Sequence, residues 1–151
     1  MAKGISSFRT FYESEGNPAI LVHETDAEFA TNIANGQKTI ETRGVPLPAR
    51  LKGMPLELVT NIGDTRYSLG KVTFSESIPY NPDQDMDRWE GDRDKHMVPA
   101  GNEYNLGQAL TRRGEKQVKH GWVVSNMERY PKPVPFDGRF VPTGLRYPPR
   151  V

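Results

Sequence analysis

The chain has 151 residues, 35% of them hydrophobic, which suits one domain with one core. It holds no cysteine, so disulfides, zinc–thiolate sites and thiol nucleophiles are excluded. It has no run of about 18 or more apolar residues that would span a membrane, and its first residues lack an apolar signal core; a cytoplasmic protein with no membrane partner is expected. The net charge of +1 hides a segregation. Residues 81–94 carry Asp83, Asp85, Asp87, Glu90, Asp92 and Asp94, whereas residues 110–132 carry Arg112, Arg113, Lys116, Lys119, Arg129 and Lys132.

In chain order, residues 1–16 read as a polar N-terminal extension. Residues 18–23 form a short apolar run and a strand. Residues 25–35 follow as the principal helix: Thr25 and Glu28 have capping-box spacing, Phe29, Ala30, Ile33 and Ala34 make one apolar stripe, and Asn35-Gly36 ends it. Residues 38–43 read as a strand and 44–53 as a Gly/Pro loop. Strands are expected at 55–60 and 66–74, the second interrupted at Gly70 by a bulge, and at 121–127. Residues 81–116 read as mostly loop and mobile, with a short helix near 106–110. The prolines from Pro131 onward forbid helix and central strand, so the tail, 141–151 in particular, is read as extended over the surface.

No P-loop, dinucleotide-binding glycine motif, nucleophile elbow or zinc-protease motif is present. Asp83-Gln84-Asp85-Met86-Asp87 mimics the start of a calcium loop, but Arg88 stands where the sharp turn needs glycine. It reads as a solvated acidic loop, and no metal or cofactor is expected.

The segment Gly36-Gln37-Lys38-Thr39-Ile40-Glu41-Thr42-Arg43 is too polar for a strand beside a core. It is either a solvated edge with a weak Lys–Glu pair or a polar pocket wall, with lysine as cation and glutamate as acceptor or base. Strict alternation separates Lys38 from Thr39, Glu41 and Arg43; Lys38 can join Glu41 only by lying in the turn after Gly36. Trp122 reads as core or as a platform. Ser125 lies on the opposite strand face, with no paired base. Trp89, His96 and Tyr104 either stack on a base or fold their segment down onto the barrel.

The spacing Gly36-x-Lys38-Thr39-Ile40-Glu41-x-Arg43 after a helix resembles the signature of ASCH domains. His120-Gly121-Trp122-Val123-Val124-Ser125-Asn126-Met127, followed by Pro131-x-Pro133-Val134-Pro135-Phe136-x-Gly138, is similar to that family's closing strand and exit. The resemblance implies an α+β fold: a small PUA-like β-barrel of five or six mainly antiparallel strands over residues 17–140, with one principal helix and a long loop insertion at 81–116. It implies RNA, a nucleotide or a modified nucleoside as ligand, bound in a cleft beside the helix. Lys38 matches the lysine of relatives that hydrolyse acylated cytidines; their second active residue, a threonine three positions later, is Glu41 here. Other relatives have been described as ribonucleases.

Three functions are therefore expected to compete. The first is a binding module using Lys38, Glu41, Arg43, Trp122 and Ser125, with Arg112, Arg113, Lys116 and Lys119 tracking nucleic-acid phosphates. The second is a small amidohydrolase or ribonuclease using Lys38 and a carboxylate, Glu41 or Glu103. The third is a protein-interaction domain on the same scaffold.

Overall fold

The structure, a computed structural model, describes residues 18–137, 140 and 144–146; the extension at 1–16 and most of the tail lie outside them. Six strands form one sheet in the order β2-β5-β4-β3-β1-β6: β1 (Ala19–Leu21), β2 (Ile40–Arg43), β3 (Leu56–Ile62), β4 (Thr65–Tyr80), β5 (Lys119–Pro135) and β6 (Leu145–Arg146). β1 runs parallel to β3, and every other pair is antiparallel. The α+β class and the strand number agree with the sequence reading.

The closed barrel does not. β2 and β6 end the sheet without pairing to each other. The ends approach, but a side chain spans the gap where a ladder would: Arg43 Nη2 donates to the Leu21 carbonyl at 2.7 Å. β2 is only four residues long and β6 two. Such short edges offer few backbone groups for a closing ladder.

The two long strands exceed the sequence expectation. β4 continues from Phe74 to Tyr80, and β5 runs through Pro131, Pro133 and Pro135. Prolines are tolerated because that half of β5 pairs with β4 alone, β2 being confined to Val123–His120. A residue without an N–H fits where only one side of a strand is paired. The bulge at Gly70 is present, with φ 150. A Cβ there would stand 2.2 Å from the Glu128 carbonyl oxygen. Leu145, in the segment read as surface tail, is buried beside β1.

The principal helix, α1, spans Phe29–Ala34, and Phe29, Ala30, Ile33 and Ala34 are its buried face. It starts later than the capping-box spacing suggests. Thr25 and Glu28 have φ of 47 and 52, not the extended backbone that a capping threonine needs. Glu24 serves instead: its Oε1 accepts the Thr31 N–H at 3.0 Å and its Oε2 accepts the Thr31 hydroxyl.

Residues 81–116 are mainly turns, but the acidic run is not a solvated loop. It forms α2 (Met86–Gly91) and α3 (Arg93–His96), while the short helix expected at 106–110 is absent. Trp89 and His96 are fully buried and stack at 3.8 Å, and Trp89 meets Tyr80 edge-on at 5.1 Å. Apolar area removed from water, about 25 cal/mol per Å², explains why a charged segment folds down: Trp89, Val98 and Leu106 join the same core as Ile20, Leu58 and Trp122.

Candidate functional site

Gly36, at φ 83, lets the chain leave α1, and Asn32 then holds the turn by accepting the N–H groups of Gln37 and Lys38 at 3.0 and 2.9 Å. The Thr39 N–H donates to the Lys95 carbonyl at 2.9 Å, so the turn is fixed to α3 before β2 begins at Ile40. Lys38 therefore lies outside the strand, which resolves the alternation problem. Its Nζ lies 3.9 Å from Glu41 Oε1, donates to the His96 carbonyl and sits 4.8 Å from the centre of the Phe29 ring.

Glu41 and Arg43 share a face of β2, and Arg43 Nε donates to Glu41 Oε2 at 3.0 Å. Beneath them lies Trp122, the register partner of Glu41. Its indole N–H donates to the Val45 carbonyl at 3.0 Å, and its ring centre is 5.8 Å from the Arg43 guanidinium carbon. β5 fits between β2 and β4 here because residue 121 is glycine: a Cβ would stand 2.7 Å from Ile40 Cγ2 and 2.9 Å from the Tyr80 ring.

These groups border a cavity of about 240 Å³ at the gap between β1 and β2. Leu21, Val22 and Phe29 form an apolar side, Tyr104 comes from the insertion, and Lys38, Glu41, Arg43, Gln117 and Lys119 supply the polar groups. Burial dominates the electrostatics. Lys38 is 1% exposed, and burial lowers its ammonium from 10.5 to about 8, partly opposed by Glu41 and reinforced by Arg43. Lys119, 3% exposed, is lowered by the same cause. Both ammonium groups cost more to keep charged here than in water.

The structure thus unites Lys38, Glu41 and Arg43, as the motif suggested, and adds Lys119. Reading Lys119 as part of an exposed phosphate-tracking surface is corrected, since its ammonium lies in the cavity. Arg112, Arg113 and Lys116 do lie exposed, on the loop that leads to Gln117. Trp122 is fully buried and does not line the cavity, so it offers no face to a ligand there. Ser125 is exposed further along β5, donates to the Thr73 carbonyl at 3.2 Å and does not line the cavity. Glu103 is exposed and outside the lining. Tyr104 and Gln117 escaped the motif because they lie in irregular segments where no periodicity betrays facing. Among the described residues, no group of three or more His, Asp or Glu is set to hold a metal, and no helix is long and apolar enough to cross a membrane.

An open, mainly antiparallel sheet with one principal helix lying against it defines the class of fold. No protein-family model matches the sequence, and no curated protein matches it. By structure, the chain is similar to ASCH from Zymomonas mobilis, with TM-score 0.61 and 13% identity over 86% of this chain and 85% of that one. A serine-to-alanine variant of the same protein matches at TM-score 0.60 and 13% identity, covering 86% of both chains. A tyrosine-to-phenylalanine variant matches at 0.61 and 14%, covering 86% of this chain and 88% of that one. The chain has the ASCH-type fold.

Proposed function

We propose that the cavity between β1 and β2 binds a nucleotide or a modified nucleoside, either free or as an unpaired base of RNA. The observation that carries this reading is the lining: three cations (Lys38, Arg43 and Lys119) stand around one carboxylate, with the Phe29 and Tyr104 rings alongside. A nucleoside asks for this pairing of aromatic surface with a few fixed donors and acceptors. The enclosed size suits one such group rather than a length of strand, while Arg112, Arg113 and Lys116 on the neighbouring loop suit the phosphates of a longer RNA. A cytoplasmic setting accords with the cysteine-free composition.

One observation favours a second reading, hydrolysis of an acylated nucleoside. An ammonium lowered to about 8 by burial yields an amine near neutral pH, and Glu41 lies 3.9 Å away to exchange its proton.

A panel of nucleosides, acylated nucleosides, nucleotides and short RNAs, followed by thermal shift and mass spectrometry, tests both. Lys38→Ala is expected to weaken binding at least tenfold while the fold persists. The pH dependence separates the readings. Affinity for a negatively charged ligand falls as Lys38 deprotonates through about 8, whereas turnover by the free amine rises through the same window. If no compound shifts the melting temperature and Lys38→Ala and Glu41→Ala behave as wild type, both readings fail and the interaction-domain reading stands.

A further inference from the structure

The two buried lysines of the cavity differ in what they touch. Lys38 donates to the His96 carbonyl and has Glu41 at 3.9 Å. Lys119 has no hydrogen-bond acceptor and no close ion pair among the described residues; Glu41 favours its charge from a distance, Arg43 opposes it, and the Tyr104 ring is centred 5.6 Å from Nζ. Yet Lys119 is as deeply enclosed as a core leucine, at 3% exposure. The cavity's single carboxylate is already shared between Arg43 and Lys38. Two further lining groups are uncommitted: neither the Gln117 side-chain amide nor the Tyr104 hydroxyl has a hydrogen-bond partner among the described residues.

An ammonium drawn into a largely buried cavity without a hydrogen-bond acceptor is disfavoured, and a ring at that distance recovers only part of the loss. The unpartnered ammonium, aimed into a cavity where cations outnumber carboxylates, marks the place of an anion that is not part of this chain.

We infer that the ligand of this cavity carries an oxyanion, in a nucleotide its phosphate, and that Lys119 is the anchor for it, with the Gln117 amide and the Tyr104 hydroxyl as accompanying donors. This deepens the nucleotide reading and rests on it. It selects phosphate-bearing ligands over neutral nucleosides. Glu41 favours the Lys119 charge but is bonded to Arg43 and faces Lys38, so the cavity keeps an excess of cations for the oxyanion. The phosphate can belong to a free mononucleotide or to the backbone of an RNA end.

The test is calorimetric titration of wild type and Lys119→Met with inorganic phosphate, the four common nucleosides, their monophosphates and a dinucleotide. Wild type is expected to bind at least one monophosphate tenfold or more tightly than the matching nucleoside, and inorganic phosphate is expected to compete with it. Lys119→Met is expected to remove most of the advantage of the monophosphate over the matching nucleoside, weakening the monophosphate far more than the nucleoside. A dinucleotide that binds better than the monophosphate assigns the site to RNA ends; the reverse assigns it to free nucleotide. If a nucleoside binds wild type as tightly as its monophosphate, the oxyanion inference falls and the nucleoside reading stands. If inorganic phosphate binds and the bases add nothing, the inference stands and the nucleoside reading falls. If nothing binds, both fall. Should Lys119→Met not fold, the wild-type comparisons still decide, and Lys119→Arg, which keeps the charge, is expected to retain the preference for phosphate.

Discussion

In the insertion, Trp89 donates its indole N–H to Asn105 Oδ1 at 2.6 Å, and Asn105 passes its own amide N–H to the Ala100 carbonyl at 2.9 Å. His96 bonds the Trp89 carbonyl with Nε2 at 2.8 Å and accepts the Val98 N–H on Nδ1 at 3.0 Å. The Tyr80 hydroxyl donates to Asp92 at 2.7 Å. Across α3, in the cavity, Lys119 is buried with no hydrogen-bond acceptor among the described residues. The two regions bury polar groups to similar depth and treat them oppositely. Groups satisfied within the chain hold structure, because breaking them leaves an orphan in low dielectric. A group left unsatisfied implies a missing partner. The regions meet where the His96 carbonyl receives Lys38, where the Lys95 carbonyl receives the Thr39 N–H, and at the Tyr104 ring beside Phe29.

The sharpest way to break the comparison is at Trp89. Trp89→Ala is expected to cost about 3–5 kcal/mol through the cavity it leaves. It also takes the indole donor from Asn105 Oδ1 and removes the ring on which His96 stacks. Urea denaturation reads the loss. Because His96 carries the acceptor of Lys38, ligand binding is expected to fall too. A loss below about 1 kcal/mol would mean that the insertion is an appendage rather than part of the core.

His96 gives the next largest effect. Because Nδ1 accepts from Val98, the ring is the neutral Nε2–H tautomer, and burial lowers its pKa from 6.5 to about 4, with Lys38 adding to the shift and the Trp89 carbonyl opposing it. The unfolded chain takes up a proton near 6.5 and the folded chain only near 4. Stability from this group is therefore full above 6.5 and lost as pH falls through 4, by about 3 kcal/mol in total. Urea midpoints across that window are expected to fall in wild type and to stay flatter in His96→Gln. Equal slopes would show that His96 does not control acid stability.

What the sequence disclosed follows from where each signal is written. The apolar stripe of α1 and the polarity of Lys38, Glu41 and Arg43 are local patterns, and both are met. The helix start was misplaced because Glu24 caps Thr31 from seven residues upstream, beyond the usual box. The charges of residues 83–94 read as solvated because the pattern hides one tryptophan and one histidine on the inner side of two short helices. Lys119 read as one more member of a basic run. Only the third dimension separates it from Arg112 and Arg113, because β5 turns its first side chain inward while the preceding loop stays in water.

That separation yields the smallest effect and the finest test. The loop of Arg112 and Arg113 is closed by its own bonds: Thr111 N–H to the Glu115 carbonyl at 2.8 Å, Gly114 N–H to the Thr111 carbonyl at 3.0 Å, and a bridge between Leu110 and Lys116. Neither arginine enters these, so the double variant Arg112→Ala with Arg113→Ala is expected to change stability by no more than about 0.5 kcal/mol. It leaves the cavity lining intact, so mononucleotide affinity is expected to match wild type. Short RNA is different. If each arginine neutralises one phosphate of a single strand, the slope of log affinity against log salt is expected to shrink by about 1.4 for the pair. A slope that does not move removes the loop from the RNA path and leaves the cavity as a site for free nucleotides. A fall in mononucleotide affinity instead would show that the loop and the cavity form one continuous anion surface, which would erase the distinction drawn between Lys119 and its exposed neighbours.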